Sequence, residues 1–434
     1  MPFQENYNAE RPIGLEVFLT SQEGIGGRLR HLIEDFVVDE VPTYPPRDDT
    51  GRYVIAKVTA TNWEMNRLVR HMSKYMGISR QLIGFAGTKD KRSISSQLMS
   101  IEAPMEWVEA LHITDVKIEP LYRSKKNITI GALKGNKFNI LISGCQKQGD
   151  ELAASVTATA EEIKAAGGFP NFFGVQRFGS LRPITHVVGR FIVKGDIEGA
   201  VMAYVSDSAE DEDEESLAAR KALKVTHDWD AALATFPMKL TFERTVIGWL
   251  QRNPEDYAGA IRVLPSNLQM MFVHAYQSYL FNRILSERVR RGIPLREAVV
   301  GDVILPADAD GLPDHDKYVP VTKANIDMVQ RKVVVGRAYV SAVLFGQDSV
   351  FSEGEVGEIE RTVAAAEGLV QRDFCTPALP DCNSRGSRRE ILARVAEPSF
   401  SADGENVRCL FTLDKGCYAT VLLREFMKAD IMDY

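Results

Sequence analysis

The stretch GFAGTKDKRSISSQ occupies residues 84–97, and the interpretation of the whole chain starts from it. Residues 82–86 are apolar and short enough for a buried strand, while residues 95–101 mix small polar and apolar residues as a second strand does. Gly87 allows the connecting loop to turn sharply. The loop therefore presents one carboxylate, Asp90, among three cations, Lys89, Lys91 and Arg92.

Two interpretations of this loop remain open from its residues alone. It is either a solvated hairpin tip of mixed charge or a site in which neighbouring cations keep Asp90 ionised. In the second case the cations would hold a phosphodiester backbone while the carboxylate acts on a sugar or a base. These four residues do not decide between the two interpretations, so the choice depends on the rest of the chain.

The chain has 434 residues, a formal net charge of −7 and 45% apolar residues. Its length suits two or three domains, and its apolar fraction can fill a sizeable core. The acidic total does not exclude RNA, because a basic patch can coexist with an acidic remainder such as AEDEDEE at residues 209–215. We expect this acidic run to face away from any bound RNA.

The cysteines and histidines predict neither a disulfide framework nor a metal site. Five cysteines without a CxxC pair are typical of reduced thiols in a cytosolic protein. Seven histidines without ligand spacing predict no metal, and the absence of a GxxxxGK[ST] pattern argues against an NTPase. No apolar run approaches the length of a membrane span, and no signal peptide is evident at the N-terminus, so the expected location is the cytoplasm.

Hydrophobic patterns predict further elements around the loop. Residues 34–40 and 53–59 are typical of strands. A following helix, with its methionines predicted to be core, should be capped by Thr61 or Asn62 and end at Gly77.

Further along, alternation over residues 127–133 and 137–143 predicts a hairpin whose turn is residues 134–136. An alanine-rich helix is predicted over residues 151–166, followed by Gly167.

The stretch PNFFGVQRFG at residues 170–179 is the second unusual segment. Aromatic rings beside Asn171 and Arg177 suit stacking on an unpaired base and contacts to its edge. Core packing is the alternative for these aromatic residues.

Beyond residue 181 the pattern becomes helical, including a long helix over residues 266–290. The basic segment SRGSRRE follows at residues 384–390, and a strand over residues 407–412 precedes a final helix over residues 421–428. Basic loops that recur beside aromatic ones, far apart in sequence, indicate an RNA-facing cleft.

Taken in order, these stretches make the chain resemble the TruD family of pseudouridine synthases, most closely its archaeal branch. The resemblance spans nearly the whole chain, and the ordered set is far more specific than any single motif. The motifs are EDFVVDE (34–40), GFAGTKDKRSISSQ (84–97), GALKGNKF (131–138), PNFFGVQRFG (170–179), AYQSYLFN (275–282), RGSRRE (385–390) and DKGCYATVLLRE (414–425).

The resemblance implies a fold and a domain organisation. The expected fold is α/β (α+β), a pseudouridine synthase fold around a mixed, mainly antiparallel sheet, interrupted by a largely helical TRUD insertion domain. The catalytic domain is expected to be split between residues 1–180 and 388–434, with the insertion over residues 181–387.

The resemblance also implies site residues. Asp90 matches the catalytic aspartate, and the active site is expected to include Phe36, Asn171, Phe173 and Phe411. Arg30 stands where a basic residue approaches the carboxylate; family members often have lysine there, and often proline at the position of Asp414. Both are mild departures that bear on fine geometry. The basic residues expected to contact RNA are Lys89, Lys91, Arg92, Arg177, Arg385, Arg388 and Arg389.

The implied activity is isomerisation of uridine to pseudouridine in tRNA, at position 13 of the D-arm, without a cofactor, a membrane or an obligatory protein partner. Asp90 could attack C1′, add to C6 or remove a sugar proton, and the sequence leaves these routes open. One alternative is an RNA-binding protein that has the same cleft without chemistry. An aspartate-dependent phosphotransferase would need magnesium ligands, and the loop contains no DxD pair.

Overall fold

A computed structural model describes residues 3–179 and 181–434 of the chain, and seventeen strands are present in this part. The strands are β1 (Gln4–Glu5), β2 (Val17–Phe18), β3 (Gly26–Arg28), β4 (Phe36–Pro42), β5 (Tyr53–Thr61), β6 (Ile83–Phe85), β7 (Ile94–Glu102), β8 (Val116–Ser124), β9 (Leu133–Cys145), β10 (Phe169–Pro170), β11 (Val303–Pro306), β12 (Val319–Pro320), β13 (Ala338–Leu344), β14 (Ser387–Glu390), β15 (Leu392–Ala393), β16 (Ala396–Asp403) and β17 (Asn406–Asp414).

Thirteen α-helices occur in the same described residues. They are α1 (Met65–Met76), α2 (Met105–Glu109), α3 (Gly149–Ala166), α4 (Thr185–Val193), α5 (Ile197–Ser206), α6 (Glu214–Thr226), α7 (Trp229–Thr235), α8 (Thr241–Arg252), α9 (Tyr257–Arg262), α10 (Ser266–Arg290), α11 (Ile326–Val334), α12 (Gly354–Ala366) and α13 (Ala419–Met427). No helix in the described ranges is both long and apolar enough to span a membrane.

The chain forms two compact units. The first, called the sheet unit, contains Thr20–Phe169, Ala393–Ala429 and Asp433–Tyr434. The second, called the helical unit, contains Met1–Leu19, Pro170–Leu392 and Asp430–Met432. These limits differ from the domains expected from the resemblance, whose boundaries stay a prediction.

The sheet unit is organised around one nine-stranded sheet. Its main order is β16-β17-β9-β4-β7-β5-β8, with β3 also pairing with β9 and β6 also pairing with β7. Only the pairing of β4 with β7 is parallel; all other pairings in this sheet are antiparallel. The expectation of a mixed, mainly antiparallel sheet is confirmed.

The parallel pair decides where the functional loop lies. Val37 of β4 lies opposite Ile94 of β7, so both strands begin at the same edge of the sheet. The residues before β4 and the loop before β7 therefore meet at that edge, although they are about sixty positions apart in the sequence.

Helix α1 packs its apolar face against β5 and β7. Met65, Met72 and Met76 are buried in this core, as predicted. Gly77 ends the helix with a left-handed φ of 67°, which also agrees with the prediction. The predicted N-cap is wrong, because the side chain of Glu64 accepts the first backbone N–H groups of α1.

The predicted hairpin is also wrong, because β9 runs unbroken through the expected turn. Gly135 pairs with Val41 on one side and with Asp414 on the other. A Cβ atom at Gly135 would lie 2.2 Å from the backbone oxygen of Leu413. The glycine therefore permits close approach of two strands and does not mark a turn.

The helical unit contains the long helix α10 and a four-stranded antiparallel sheet of order β12-β11-β13-β14. Helices α4 and α12 and strand β13 pack against α10. The four residues Ser387–Glu390 form the edge strand β14, so the basic segment at residues 384–390 begins in a loop and ends in a strand.

Candidate functional site

An ion pair between Arg30 and Asp90 lies at the edge of the sheet where β4 and β7 begin. One guanidinium nitrogen of Arg30 donates to Oδ2 of Asp90 at 2.9 Å, and another donates to the backbone oxygen of Tyr434 at 2.9 Å. The guanidinium carbon lies 4.0 Å from the centre of the Phe36 ring. Arg30 is thus held on three sides, while the Asp90 side chain keeps 45% of its surface exposed.

The backbone of Arg30 is strained. Its φ is 55°, in the left-handed region that residues with a Cβ atom rarely adopt. Such a conformation costs of order 1–3 kcal/mol and persists only where the surroundings fix it. The three contacts of the guanidinium supply that constraint, so the structure fixes the position of a cation against Asp90.

The loop that carries Asp90 is held by its own hydrogen bonds. The Ser93 hydroxyl donates to the backbone oxygen of Asp90 at 2.7 Å, and the Ser93 N–H donates to the backbone oxygen of Lys91 at 2.9 Å. Arg92 donates to the backbone oxygen of His31 at 3.1 Å, which ties the loop to the residue after Arg30. The carboxylate is therefore presented by a fixed turn.

The three cations of the loop have different environments. Lys89 Nζ lies 2.9 Å from Oε2 of Glu40, and the two side chains are only 6% and 1% exposed. Glu40 also accepts the backbone N–H of Leu98 through its other oxygen. Lys89 is consequently part of a buried ion pair, whereas Lys91 and Arg92 are exposed.

The aromatic residues expected in the sheet unit are core residues in this structure. Phe36 and Phe411 are each 1% exposed. Phe138, which the sequence analysis did not assign to the site, joins them: its ring centre lies 6.4 Å from that of Phe36 and 5.3 Å from that of Phe411. The Phe36 ring packs against the Arg30 guanidinium, and Phe138 packs between Phe36 and Phe411.

In the helical unit, Asn171 is fully buried and its amide is occupied by protein atoms. Its Nδ2 donates to the backbone oxygen of Glu390 at 3.1 Å and to Oε1 of the same residue at 2.9 Å. Its Oδ1 accepts from Arg389 at 2.8 Å. Both N–H groups of the Asn171 amide donate hydrogen bonds and its oxygen accepts one, so Asn171 fixes the positions of Glu390 and Arg389.

The hydrogen bond from Arg389 to Asn171 holds the Arg389 guanidinium against the Phe173 ring. The guanidinium carbon of Arg389 lies 4.2 Å from the centre of the Phe173 ring, and that of Arg177 lies 5.8 Å away. Phe281 packs edge-on against the same ring at 5.5 Å. The sequence-predicted residues Asn171, Phe173, Arg177 and Arg389 therefore form one cluster within this unit.

Glu390 completes this cluster and was missed as a functional candidate, although it ends the RGSRRE motif. Burial, the strongest influence, would raise its pKa. The hydrogen bond from His315 at 2.9 Å and the charge of Arg389 outweigh that effect, and the net result is a lowered pKa. Glu390 is thus a buried carboxylate that is stabilised in its charged form.

A pocket of about 530 Å3 opens beside this cluster, within the helical unit. Phe173, Arg177, His274 and Arg385 contribute to its walls. Burial, followed by the positive charge of Arg177, lowers the pKa of His274, so this imidazole is neutral at physiological pH. The Arg385 side chain is 90% exposed and lies 3.9 Å from Asp348.

Arg388, predicted to contact RNA, does not have the environment of an RNA-binding residue. Its side chain is buried and donates to Glu360 at 2.9 Å, to Ser341 and to Ser352. The guanidinium is committed to a buried ion pair, so the expected RNA contact does not fit this geometry.

No group of three or more His, Cys, Asp or Glu side chains that could hold a metal ion occurs in residues 3–179 and 181–434. What Asp90 offers is a carboxylate that can act as a nucleophile or a base on a ligand that approaches its exposed side.

Comparisons with known proteins give a consistent result. The family model for tRNA pseudouridine synthase D (TruD) matches residues 12–426. A protein of Methanococcoides burtonii named "Probable tRNA pseudouridine synthase D" is 41% identical over 430 residues, covering 98% of both chains. A Methanosarcina mazei protein of the same name is 41% identical over 429 residues, covering 97% of this chain and 98% of that one. The crystal structure of a TruD protein from M. mazei matches with a TM-score of 0.85 at 39% identity, covering 98% of each chain.

Proposed function

The chain belongs to the TruD family of tRNA pseudouridine synthases, and from this premise we propose that it isomerises a uridine of tRNA with Asp90 as the catalytic residue. The observation that carries the proposal is the fixed pair of Arg30 and Asp90. A strained, partly buried cation orients a carboxylate that is 45% exposed.

The chemistry requires a group like Asp90. The bond between N1 and C1′ breaks, a bond between C5 and C1′ forms, the C5 proton leaves and N1 gains a proton. Atoms and electrons balance within the nucleotide, so no oxidant, reductant or nucleotide cofactor is required. A carboxylate can assist by attacking C1′, by adding to C6 or by removing a sugar proton, and all three routes use its negative charge.

We further propose that Arg30 is a positioning residue. Its contacts to Asp90, Tyr434 and Phe36 fix the direction of the carboxylate before any ligand binds. Such preorganisation lowers the cost of orienting the reacting groups. The family's lysine at this position could pair with the carboxylate but could not lie flat on Phe36 in the same way.

The target base has to leave its stack to reach Asp90, which costs a few kcal/mol. Stacking on an aromatic ring recovers about 1–3 kcal/mol per base. Within the helical unit, we propose that the ring of Phe173, at the wall of its pocket, stacks on a base of the bound tRNA, with Arg389 held against the ring by Asn171. Asn171 and Glu390 would then be positioning residues, because the Asn171 amide bonds to both Glu390 and Arg389.

The proposed target is uridine 13 of the D-arm, which the resemblance to the family supports. The remaining exposed cations Lys91, Arg92 and Arg385 are proposed to contact the phosphodiester backbone, which gives affinity without sequence preference.

The test is a carbodiimide-blocked reverse-transcription assay on an unmodified tRNA transcript, because mass does not distinguish pseudouridine from uridine. We expect one new stop, one nucleotide 3′ of position 13, and none in a matched transcript with cytidine at position 13. A purified protein that binds the transcript but produces no stop would support the RNA-binding alternative. A stop at another uridine would leave the activity intact and correct the position.

A further inference from the structure

A second pocket, of about 620 Å3, lies in the sheet unit beside the ion pair of Arg30 and Asp90. It is lined by residues 31–34, Asn62, Lys91 and Arg92. The residues directly after Arg30 form one wall, and those directly after Asp90 form another. The chemistry proposed for Asp90 uses none of these side chains.

The positive charge of this pocket comes from the cations near Asp90 that form no ion pair with a carboxylate in the two pairs described above. Arg30 is engaged by Asp90, and Lys89 is buried against Glu40. The two cations nearest to Asp90 that still face solvent are therefore Lys91 and Arg92, and both line the pocket. Both charges are thus available to a phosphodiester at this pocket, whose lining also includes the exposed carboxylate of Glu34.

The lining of the pocket also includes an apolar side chain, Leu32. Leu32 is 57% exposed, and its backbone N–H donates to the carboxylate of Asp35, which fixes the turn that presents it. Two cations and an exposed apolar side chain in the lining of one pocket suit a nucleotide, whose phosphate is charged and whose base has an apolar face. The volume is in the range of small-ligand sites.

We propose that this pocket holds a nucleotide adjacent to the isomerised uridine, with a phosphodiester on Lys91 and Arg92 and its base against Leu32. The inference rests on the proposed function, because the uridine at Asp90 defines which nucleotide is adjacent. The pocket would be a binding subsite for the strand next to the target uridine, and binding there would help to keep that uridine out of its stack.

The first test compares the double variant Lys91→Gln/Arg92→Gln with Lys125→Gln, which removes one exposed charge near the Tyr53 end of β5. The other end of β5 is Thr61, and the next residue, Asn62, lines the pocket. The two ends of β5 are about 27 Å apart, since a strand rises about 3.4 Å per residue, so Lys125 lies far from the pocket. Because the proposal places one phosphodiester on both cations, the slope of log affinity against log salt should fall by about 0.7–0.9 in the double variant, the value for one phosphate contact. It should change little in Lys125→Gln, and an unchanged slope in the double variant overturns the proposal.

The second test locates the contact. Transcripts carry a neutral methylphosphonate on the 5′ or the 3′ side of the target, and kcat/KM is measured for wild type and the double variant. At one of the two linkages the loss caused by neutralisation should largely disappear in the double variant, because both changes remove the same contact. Additive losses at both linkages would overturn the subsite.

The third test addresses the base. An abasic neighbour on the same side should lower kcat/KM for wild type by several-fold but change it little for Leu32→Ser, whose own activity should already be reduced. Equal losses in both proteins would overturn the base contact. If wild type forms no pseudouridine, the proposed function itself fails; if wild type is active and the pocket variants behave like Lys125→Gln, only this subsite fails.

Discussion

Replacing Asp90 with asparagine tests the catalytic assignment with the smallest structural change. Asparagine keeps the size of the side chain and an oxygen that can accept from Arg30, so only the negative charge is removed. The pair is nearly half exposed at Asp90, and exposed pairs contribute about 0.2–1 kcal/mol. We therefore expect the free energy of unfolding to change by less than about 1 kcal/mol, or the melting temperature by less than about 4 °C.

RNA binding should survive the same substitution. Loss of a negative charge beside Lys91 and Arg92 makes the loop more positive, so affinity for the phosphodiester backbone should be unchanged or increased. We expect the dissociation constant for tRNA to stay within about tenfold, which corresponds to about 1.4 kcal/mol. A filter-binding titration measures it.

Turnover should be lost, because each route open to Asp90 requires the charge that asparagine lacks. Removal of a residue that acts directly on the reacting atoms typically costs at least about 10³-fold in rate, and we expect no detectable pseudouridine in the carbodiimide assay. Asp39→Asn, at an exposed position of β4, is the matched control and should retain turnover.

Three results would refute this reasoning in different ways. Measurable turnover by folded Asp90→Asn, with the peptide mass showing that asparagine has not reverted to aspartate, would remove Asp90 from the catalytic role. Loss of the circular dichroism signal together with activity would make Asp90 structural. Loss of tRNA binding in a folded variant would place Asp90 in recognition rather than in chemistry.

Three further predictions concern stability and cofactor dependence. Lys89→Met should lower the free energy of unfolding by about 3–5 kcal/mol, since it leaves the buried Glu40 carboxylate without its cation. The control Lys91→Met should change the free energy of unfolding by less than about 0.5 kcal/mol. Equal urea midpoints for the two variants would contradict this prediction. The pKa of Glu390 is lowered in the folded protein from 4.5, so its stabilising contribution is fully present above pH 4.5 and is lost as the pH falls through the folded-state pKa. Glu390→Gln should therefore flatten the fall in stability below about pH 4.5, as measured by urea unfolding from pH 7 to pH 3, and an acid profile like that of wild type would argue against it. Activity should persist in EDTA, because the isomerisation balances without a metal; loss in EDTA that a divalent ion restores, with the tRNA still folded, would overturn this expectation.

The elements that local chemistry specifies were predicted well from the sequence. Strand β7 was predicted from its mixture of small polar and apolar residues, and helix α1 from its helical spacing; both signals depend on neighbouring residues only. Gly77 and Gly167 were identified as helix ends because the left-handed conformation there favours glycine. The ordered motifs indicated the family, which the comparisons confirm.

The failures occurred where partners distant in sequence determine the structure. Gly135 looked like a turn residue, but it is a position where β17 approaches β9 too closely for a side chain. Thr61 and Asn62 are better N-caps by type, yet Glu64 fulfils the role because β5 extends through Thr61. Strand pairing fixed both outcomes, and no local pattern records it.

The sequence by itself determined that Asp90 stands in a loop between two strands, surrounded by cations, in a chain of this family. Only the tertiary structure decided what each cation does. Lys89 and Arg388 become buried when the chain brings Glu40 and Glu360 to them, whereas Lys91 remains exposed. The physical reason is that a charged side chain is buried only with a partner of opposite charge, and that partner comes from another strand or helix.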